Sequence, residues 1–530
     1  MTTAMTAETK ASEKKPFIGS WVILAVYSAL TLLGALNHEL WLDEAQAWVI
    51  LRDVPLAELP RVLNIEGHPP LWYAILYPFV KLGFPADYVS LISWFIMALG
   101  AAVLMFKVKL PLPLKAVILA SSGFLYLNSV MLRVYCLIPP LLFLILWVYP
   151  NRREHAVLYG LLIALLVNTH VFICGIVGIL GIYMIYELFS EWKSSPKKEN
   201  IGKLIGLAIA GVGVLTLVLP LLGTQNLNSG TNNRLSDFSV IFGHLLNFPK
   251  DVFENYFNLC VPYSPLWVFP FMLMTVAVVI MLIMLRHWRK AFFVELGFVA
   301  VYIIICGIMW FSMPSRSAIF ILSFAFSLGL AQYEEPVFKD HKISDRITGT
   351  LRRFVGLLKK ADMGAQKLFT VVLAGCLGVS VPVGAILLYK DIVGNFSASK
   401  QTAEYISENL EEDAVFVSVM YGFPEISFYC PDYKQYSVIS RQFTTYNRWN
   451  CTSYEEDHEE VIAELSEYDH LYIIYYYTGV EESETFFICT DAVKYDLPKT
   501  YFAICKYDPK IVEEYIKQFN AERGAIDSDL

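Results

Sequence analysis

Apolar runs of span length recur along most of this chain, separated by short loops in which the lysines and arginines gather, and no soluble core could absorb them. About eleven such runs are read, at 17–36, 87–106, 115–132, 134–149, 156–170, 171–188, 204–222, 265–285, 291–312, 315–333 and 368–389. With 56% of its 530 residues hydrophobic, the chain belongs in a bilayer, as a polytopic α-helical protein. The net charge of −8 and the absence of a basic stripe argue against a nucleic-acid partner. The basic clusters report topology instead.

One further run, 70–84, decides that topology. If it lies flat at the interface, the clusters at Lys10/Lys14/Lys15, Lys107/Lys109/Lys115, Arg152/Arg153, Lys193/Lys197/Lys198/Lys203, Arg286/Arg289/Lys290 and Arg352/Arg353/Lys359/Lys360 all fall on one face. If it spans, every cluster but the first changes side. Its two leading prolines and its Trp72, Tyr73, Tyr77 and Phe79 suit an interfacial amphipathic helix. The expected arrangement is a cytoplasmic tail over 1–16, a transmembrane domain over 17–390 with a first outer loop at 37–86, and an extracytoplasmic domain over 391–530 in a plasma membrane, bacterial by its short tail and exterior domain. The last segment alternates helical and strand-like stretches, with strands near 414–420, 436–440, 468–477 and 501–507 and a final helix near 511–519, which predicts an α/β fold on a small parallel or mixed sheet. Its four cysteines, Cys430, Cys451, Cys489 and Cys505, allow one or two disulfides in an oxidising compartment, with unpaired thiols equally compatible.

Within that frame the polar outliers sit at the outer ends of spans: His38, Asp43, Glu44, Glu66 and His68 in the first outer loop, then Arg133 and Tyr135, Asn168 and His170, and Arg316. Ionisable groups beside a bilayer are costly and mark a pathway or a site. Singly, each has a plainer role: a snorkelling arginine, a packed histidine, a turn before prolines. A helix over Trp41–Arg52 would put Trp41, Ala45, Trp48 and Val49 on one side and Asp43 almost opposite, with Glu44 at the flank. Adjacent residues on a helix do not face one another, so one acid is expected to face the site and the other to support it.

An acid pair after the first span (Leu42-Asp43-Glu44), the segment Gly67-His68-Pro69-Pro70-Leu71-Trp72-Tyr73, an Arg133-Val134-Tyr135 junction and a late Pro314-Ser315-Arg316 together resemble the type C (GT-C) membrane glycosyltransferases, in the branch of the protein O-mannosyltransferases and the bacterial lipid A aminoarabinose transferases. The resemblance covers residues 17–333. It implies a GT-C-like fold and inverting transfer of a sugar from a polyprenyl-phosphate donor to an acceptor (lipid, glycan or protein) outside the membrane, with Asp43 and Glu44 as the catalytic carboxylates, Asp43 the general base and Glu44 its support. Arg133, Arg316 and Tyr135 would bind the donor phosphate, and His68, Trp72, Tyr73 and His170 would position donor or acceptor. The chemistry agrees with these residue types, since a carboxylate can take the acceptor's proton and cations can hold a departing phosphate. No cofactor is favoured; magnesium or manganese on Asp43, Glu44 and His68 is the competing role, because hard oxygen ligands suit those ions. A transporter or flippase for a lipid-linked or anionic precursor is the other class of reading. It ranks lower because no internal repeat is visible and the charges gather at span ends.

Overall fold

The computed structural model describes residues 18–221, 250, 252–253, 256, 268–305, 314–337, 364–394, 396–418, 422–438, 440–448, 465–476, 486–488, 502–508 and 510. Its helices, in chain order, are α1 (Ile18–Asn37), α2 (Leu42–Asp53), α3 (Leu59–Glu66), α4 (Leu71–Lys81), α5 (Leu91–Lys107), α6 (Leu112–Ala120), α7 (Ile138–Val148), α8 (Ala156–Val167), α9 (Cys174–Glu191) and α10 (Lys197–Leu221). They continue with α11 (Val268–Leu285), α12 (Arg289–Ile304), α13 (Pro314–Ala331), α14 (Ala365–Gly378), α15 (Val381–Val393), α16 (Ser399–Asn409) and α17 (Pro424–Tyr429).

Among the described residues, six helical stretches are long and apolar enough to cross a membrane: Ile18–Asn37, Ala86–Lys107, Val134–Asn151, Val171–Glu191, Lys197–Leu219 and Ala365–Val393. Three shorter apolar helices, Ala156–Val167, Phe271–Leu285 and Ser315–Ala331, accompany them, so this is a multi-pass helical membrane protein. One run departs from the sequence reading. Residues 115–132 are not a single helix: α6 stops at Ala120, Ser121 is extended, and a π turn follows over Gly123–Leu127. Hydropathy cannot register this break, because the segment stays apolar while its backbone finds partners inside the protein, Tyr27 Oη donating to Phe124 O at 3.3 Å. Gly123 permits the fold here, since a Cβ in its place would meet Ala318 Cβ at 2.9 Å. Helix α4, with Pro78 inside it, has 11 residues. At 1.5 Å per residue it reaches only about 16 Å, far short of a bilayer core.

Small residues set the closest crossing. A Cβ on Gly160 of α8 would lie 2.0 Å from the carbonyl oxygen of Gly206 on α10, so the two backbones touch where neither residue has a side chain. That contact registers the next loop, because Asn168 Nδ2 donates to Gly213 O at 2.8 Å and Thr216 Oγ1 donates to Asn168 Oδ1 at 3.0 Å.

After α15 the chain forms a six-stranded mixed sheet in the order β3-β2-β1-β4-β6-β5, with β1 at Val415–Ser418, β2 at Lys434–Ser437, β3 at Gln442–Phe443, β4 at Leu471–Tyr476, β5 at Phe486–Ile488 and β6 at Phe502–Lys506. Strand β1 runs parallel to β2 and β4; the outer pairings are antiparallel. Helices α16 and α17 cover one face through Ala403, Ile406 and Ile426 against Phe416, Tyr472 and Ile504. Cys430 and Cys505 are free thiols, whereas Cys451, Cys489 and the helix expected near 511–519 lie outside the described residues. The domain is held on the first loop by Arg52 Nη1 donating to Ser427 O (2.6 Å), Leu40 N donating to Tyr429 Oη (2.9 Å) and an edge-on Trp48–Phe428 ring pair at 5.8 Å.

Candidate active site

Five loop regions that the sequence keeps far apart meet in one cleft of about 1140 Å³, open on one side, at the end of the bundle where α8 stops. Its walls include Asp43, Glu66, His68, Trp72, Tyr73, Arg133, His170 and Arg316. Each reaches the cleft for a local reason. Asp43 lies in the first turn of α2, where the helix dipole favours a carboxylate. His68 follows Gly67, whose φ of +66° is the left-handed stop of α3, and the two prolines then launch α4 with Trp72 and Tyr73. Arg133 sits on extended backbone between the π turn and the 3-10 turn Val134–Leu137. Thr169 and His170 close α8, and Arg316 opens α13.

The geometry inside is that of a charge pair beside a cavity. Arg133 Nη1 lies 2.7 Å from Asp43 Oδ2, with the two side chains 15% and 27% exposed, so both remain within reach of a ligand. The Arg133 guanidinium also faces the rings of Trp41 (5.7 Å) and Tyr135 (5.3 Å), which fix its plane. Tyr135 does not line the cleft directly. Its hydroxyl accepts from Arg316 Nε at 3.0 Å and its ring lies 5.5 Å from that of His170, so it braces three of the wall residues. Burial, then the carboxylates of Glu66 and Asp43, push the Tyr73 phenol well above its ordinary value, which keeps it neutral.

Glu44 takes the supporting place that the helical angle predicts for one of the two acids. Its side chain is fully buried and turned away from the cleft. Glu44 Oε2 accepts from Trp41 N at 3.0 Å, the reach-back of a capping box, and Oε1 accepts from Leu132 N at 2.5 Å. His38 Nε2 lies 3.1 Å from both carboxylate oxygens, and His38 Nδ1 lies 2.7 Å from Asp391 Oδ2 at the end of α15. Burial alone would lower the His38 pKa, but Glu44 and Asp391 together hold it well above 6.5, so the imidazole is charged between two carboxylates. Glu44 is thus the neighbour of Asp43 in sequence and grips the neighbour of Arg133 in space. It holds the spacing of Asp43 and Arg133 without lining the cleft itself.

The same geometry bears on metal binding. Asp43, Glu44 and His68 do not form a ligand set, because the carboxylate of Glu44 is committed to His38 and two backbone amides. Among the described residues no three histidine, cysteine, aspartate or glutamate side chains converge as metal ligands.

Solved structures similar to this chain include ArnT from Cupriavidus metallidurans in the apo state, at 12% sequence identity and a TM-score of 0.47, and ArnT from the same organism bound to undecaprenyl phosphate, at 11% and 0.46. Each alignment covers 92% of this chain and 98% of the other. No family model and no curated protein sequence matches it.

Two contributors have no obvious signal in the sequence. Gln46 donates from Nε2 to Glu66 Oε1 (2.9 Å) and to Asn447 O (2.9 Å), while its Oε1 accepts from Asn447 N (2.9 Å). One cleft residue thereby fastens both a wall carboxylate and the sheet domain. Asp391, 353 positions from His38, is the other.

Proposed function

We propose that the protein is an inverting membrane glycosyltransferase that moves a sugar from a polyprenyl-phosphate donor to an acceptor on the outer side of the membrane. The observation that carries this reading is the meeting of the Asp43 carboxylate with two guanidinium groups, Arg133 and Arg316, in a single cleft beside an apolar groove. Helix α4 belongs to both: Trp72 and Tyr73 face the cleft, while Leu71 and Ile75 line a groove of about 1230 Å³ together with Ile96, Val103, Leu141 and Leu144. A phosphate in the cleft and an isoprenoid chain in the groove would match the two surfaces in polarity.

In this mechanism the donor phosphate takes hydrogen bonds from Arg133 and Arg316, in the bidentate manner a guanidinium allows. That contact competes with the Arg133–Asp43 pair at 2.7 Å and releases the carboxylate. Asp43 then accepts the proton of the acceptor hydroxyl as its oxygen attacks the anomeric carbon. The bond from that carbon to the phosphate oxygen breaks, and polyprenyl phosphate leaves with the electron pair, held by the two arginines. One displacement inverts the anomeric centre. The role of Glu44 and His38 is to hold the spacing of Asp43 and Arg133, and the reaction needs no divalent metal on this donor set. With the basic loops placed in the cytoplasm, the cleft opens outside.

The test is incubation of the purified protein with a panel of labelled polyprenyl-phosphate sugars and envelope extract. Consumption of one donor with appearance of labelled product supports the reading. A full panel left unconsumed, or movement of intact donor across vesicles without product, overturns it.

A further inference from the structure

The exterior domain has a second cavity, of about 910 Å³, at the edge of its sheet where β2 and β3 meet. Three features distinguish it from a packing defect. First, its described walls combine aromatic rings with amide, hydroxyl and cationic groups and include no carboxylate: Tyr433, Lys434, Gln435, Phe443, Thr444, Thr445, Tyr446, Arg448 and Tyr468. Phe443 and Tyr468 are 44% and 39% exposed and stand edge to face at 5.8 Å, an aromatic corner left open to solvent. The Arg448 guanidinium lies over the Tyr446 ring at 5.5 Å.

Second, buried polar atoms here lack partners. Gln435, 1% exposed, uses its Oε1 to accept from Phe423 N at 3.0 Å, but its Nε2 makes no hydrogen bond, nor does Arg448 Nε. Behind the lining, between Tyr446 and Arg448, the side-chain amide of Asn447, also 1% exposed, leaves both Oδ1 and Nδ2 unpaired. Gln435 Nε2 and Asn447 Oδ1 both border Gly422, lying 2.8 and 3.3 Å from where its Cβ would be. Unpaired buried donors are rare and costly, and the two on the cavity's own lining, Gln435 Nε2 and Arg448 Nε, suit ligand hydroxyls.

Third, the segment that carries the cavity is fastened to α2, the helix that carries Asp43. Thr445 Oγ1 donates to Asp53 Oδ2 at 2.5 Å, and the backbone of Asn447 exchanges hydrogen bonds with the side chain of Gln46, which lines the cleft. Sugars are bound by rings that stack on their C–H faces and by amides that match their hydroxyls, and two cations on a wall that carries no carboxylate of its own favour an anionic sugar.

We infer that Lys434, Gln435, Phe443, Tyr446, Arg448 and Tyr468 form a binding site for an anionic saccharide, which holds the acceptor glycan beside the cleft. The acceptor role rests on the transferase reading; the binding itself does not. The full-length protein in detergent is titrated calorimetrically with trigalacturonic acid and with maltotriose as neutral control, no donor being present. Trigalacturonate is expected to bind at least tenfold more tightly than maltotriose and equally well to Asp43→Asn. Exposed-residue variants Lys434→Ala and Phe443→Ala, checked for unchanged melting, are each expected to weaken it about tenfold. No trigalacturonate binding, equal affinity for the neutral sugar, loss of binding in Asp43→Asn, or unchanged binding in both surface variants would each overturn the site. If trigalacturonate binds here while no donor is ever consumed, the saccharide site stands and the transferase reading fails.

Discussion

The two ends of the bundle use the same chemistry to opposite effect. At the end away from the cleft, Arg152 pairs with Glu187, which also takes Lys290 Nζ at 3.0 Å, while Lys203 joins Glu191 at 2.9 Å. There the charges saturate one another, with Tyr149 stacked on Arg152 at 4.2 Å, and α7, α9 and α12 are tied together. At the cleft end, Arg133 has one carboxylate and an open cavity. The difference teaches that an arginine–carboxylate pair reads as fastener or as site according to the space beside it, not according to the pair.

Variants at the two ends should therefore fail in different ways. Arg133→Ala and Arg316→Ala at the cleft end are expected to lower turnover by about 10²–10³-fold each, the usual loss on removing a group that stabilises developing charge, with little change in melting. Donor consumption under saturating acceptor measures this; near-normal rates would erase the contrast. His38→Ala leaves the buried carboxylates of Glu44 and Asp391 facing each other without a cation, and should cost about 3–5 kcal/mol of stability. Its effect has a pH signature. A histidine raised above 6.5 contributes fully below that pH and loses its contribution as pH rises through its raised value, so melting of wild type and His38→Ala should converge at alkaline pH.

Smaller effects are expected elsewhere. Glu187→Gln should lower stability by about 1–3 kcal/mol and leave the donor affinity of folded protein unchanged, because the group it removes only fastens. Glu39, raised to about 7 mainly by burial, destabilises progressively as pH climbs from the ordinary carboxylate range to that value. Glu39→Gln should flatten the stability profile across that window, which thermal melts at stepped pH can read. Chelation with EDTA should leave turnover unchanged, since Glu44 is unavailable as a ligand; a rate restored only by magnesium or manganese would contradict this.

How far the sequence carried these features depended on contrast and distance. Asp43, His68, Arg133, His170 and Arg316 were legible because ionisable groups at the ends of apolar runs stand out, and all of them line one cleft. The division of labour between Asp43 and Glu44 was legible as a helical angle, but the partners that occupy Glu44 were not. His38 and Asp391 are linked only by the fold, and Asp391 is masked by the compositional shift that begins there. The Gln46–Asn447 exchange involves uncharged residues and backbone, which leave no pattern to read. The break after Ala120 escaped because hydropathy averages over it. Strands β3 and β5, two and three residues long, were too short to show alternation, whereas β1, β2, β4 and β6 fell within or beside the expected stretches.

The central claim is that Asp43 takes the proton and Arg133 holds the phosphate, the two being paired only while the donor is absent. Asp43→Asn separates these roles in one protein. Side by side with wild type, donor affinity and donor turnover should be measured on the same preparation. Turnover is expected to fall by about 10²–10⁴-fold for loss of a general base, while donor affinity stays equal or rises because Arg133 no longer has a carboxylate to release. An Asp43→Asn protein that turns over normally would contradict the account.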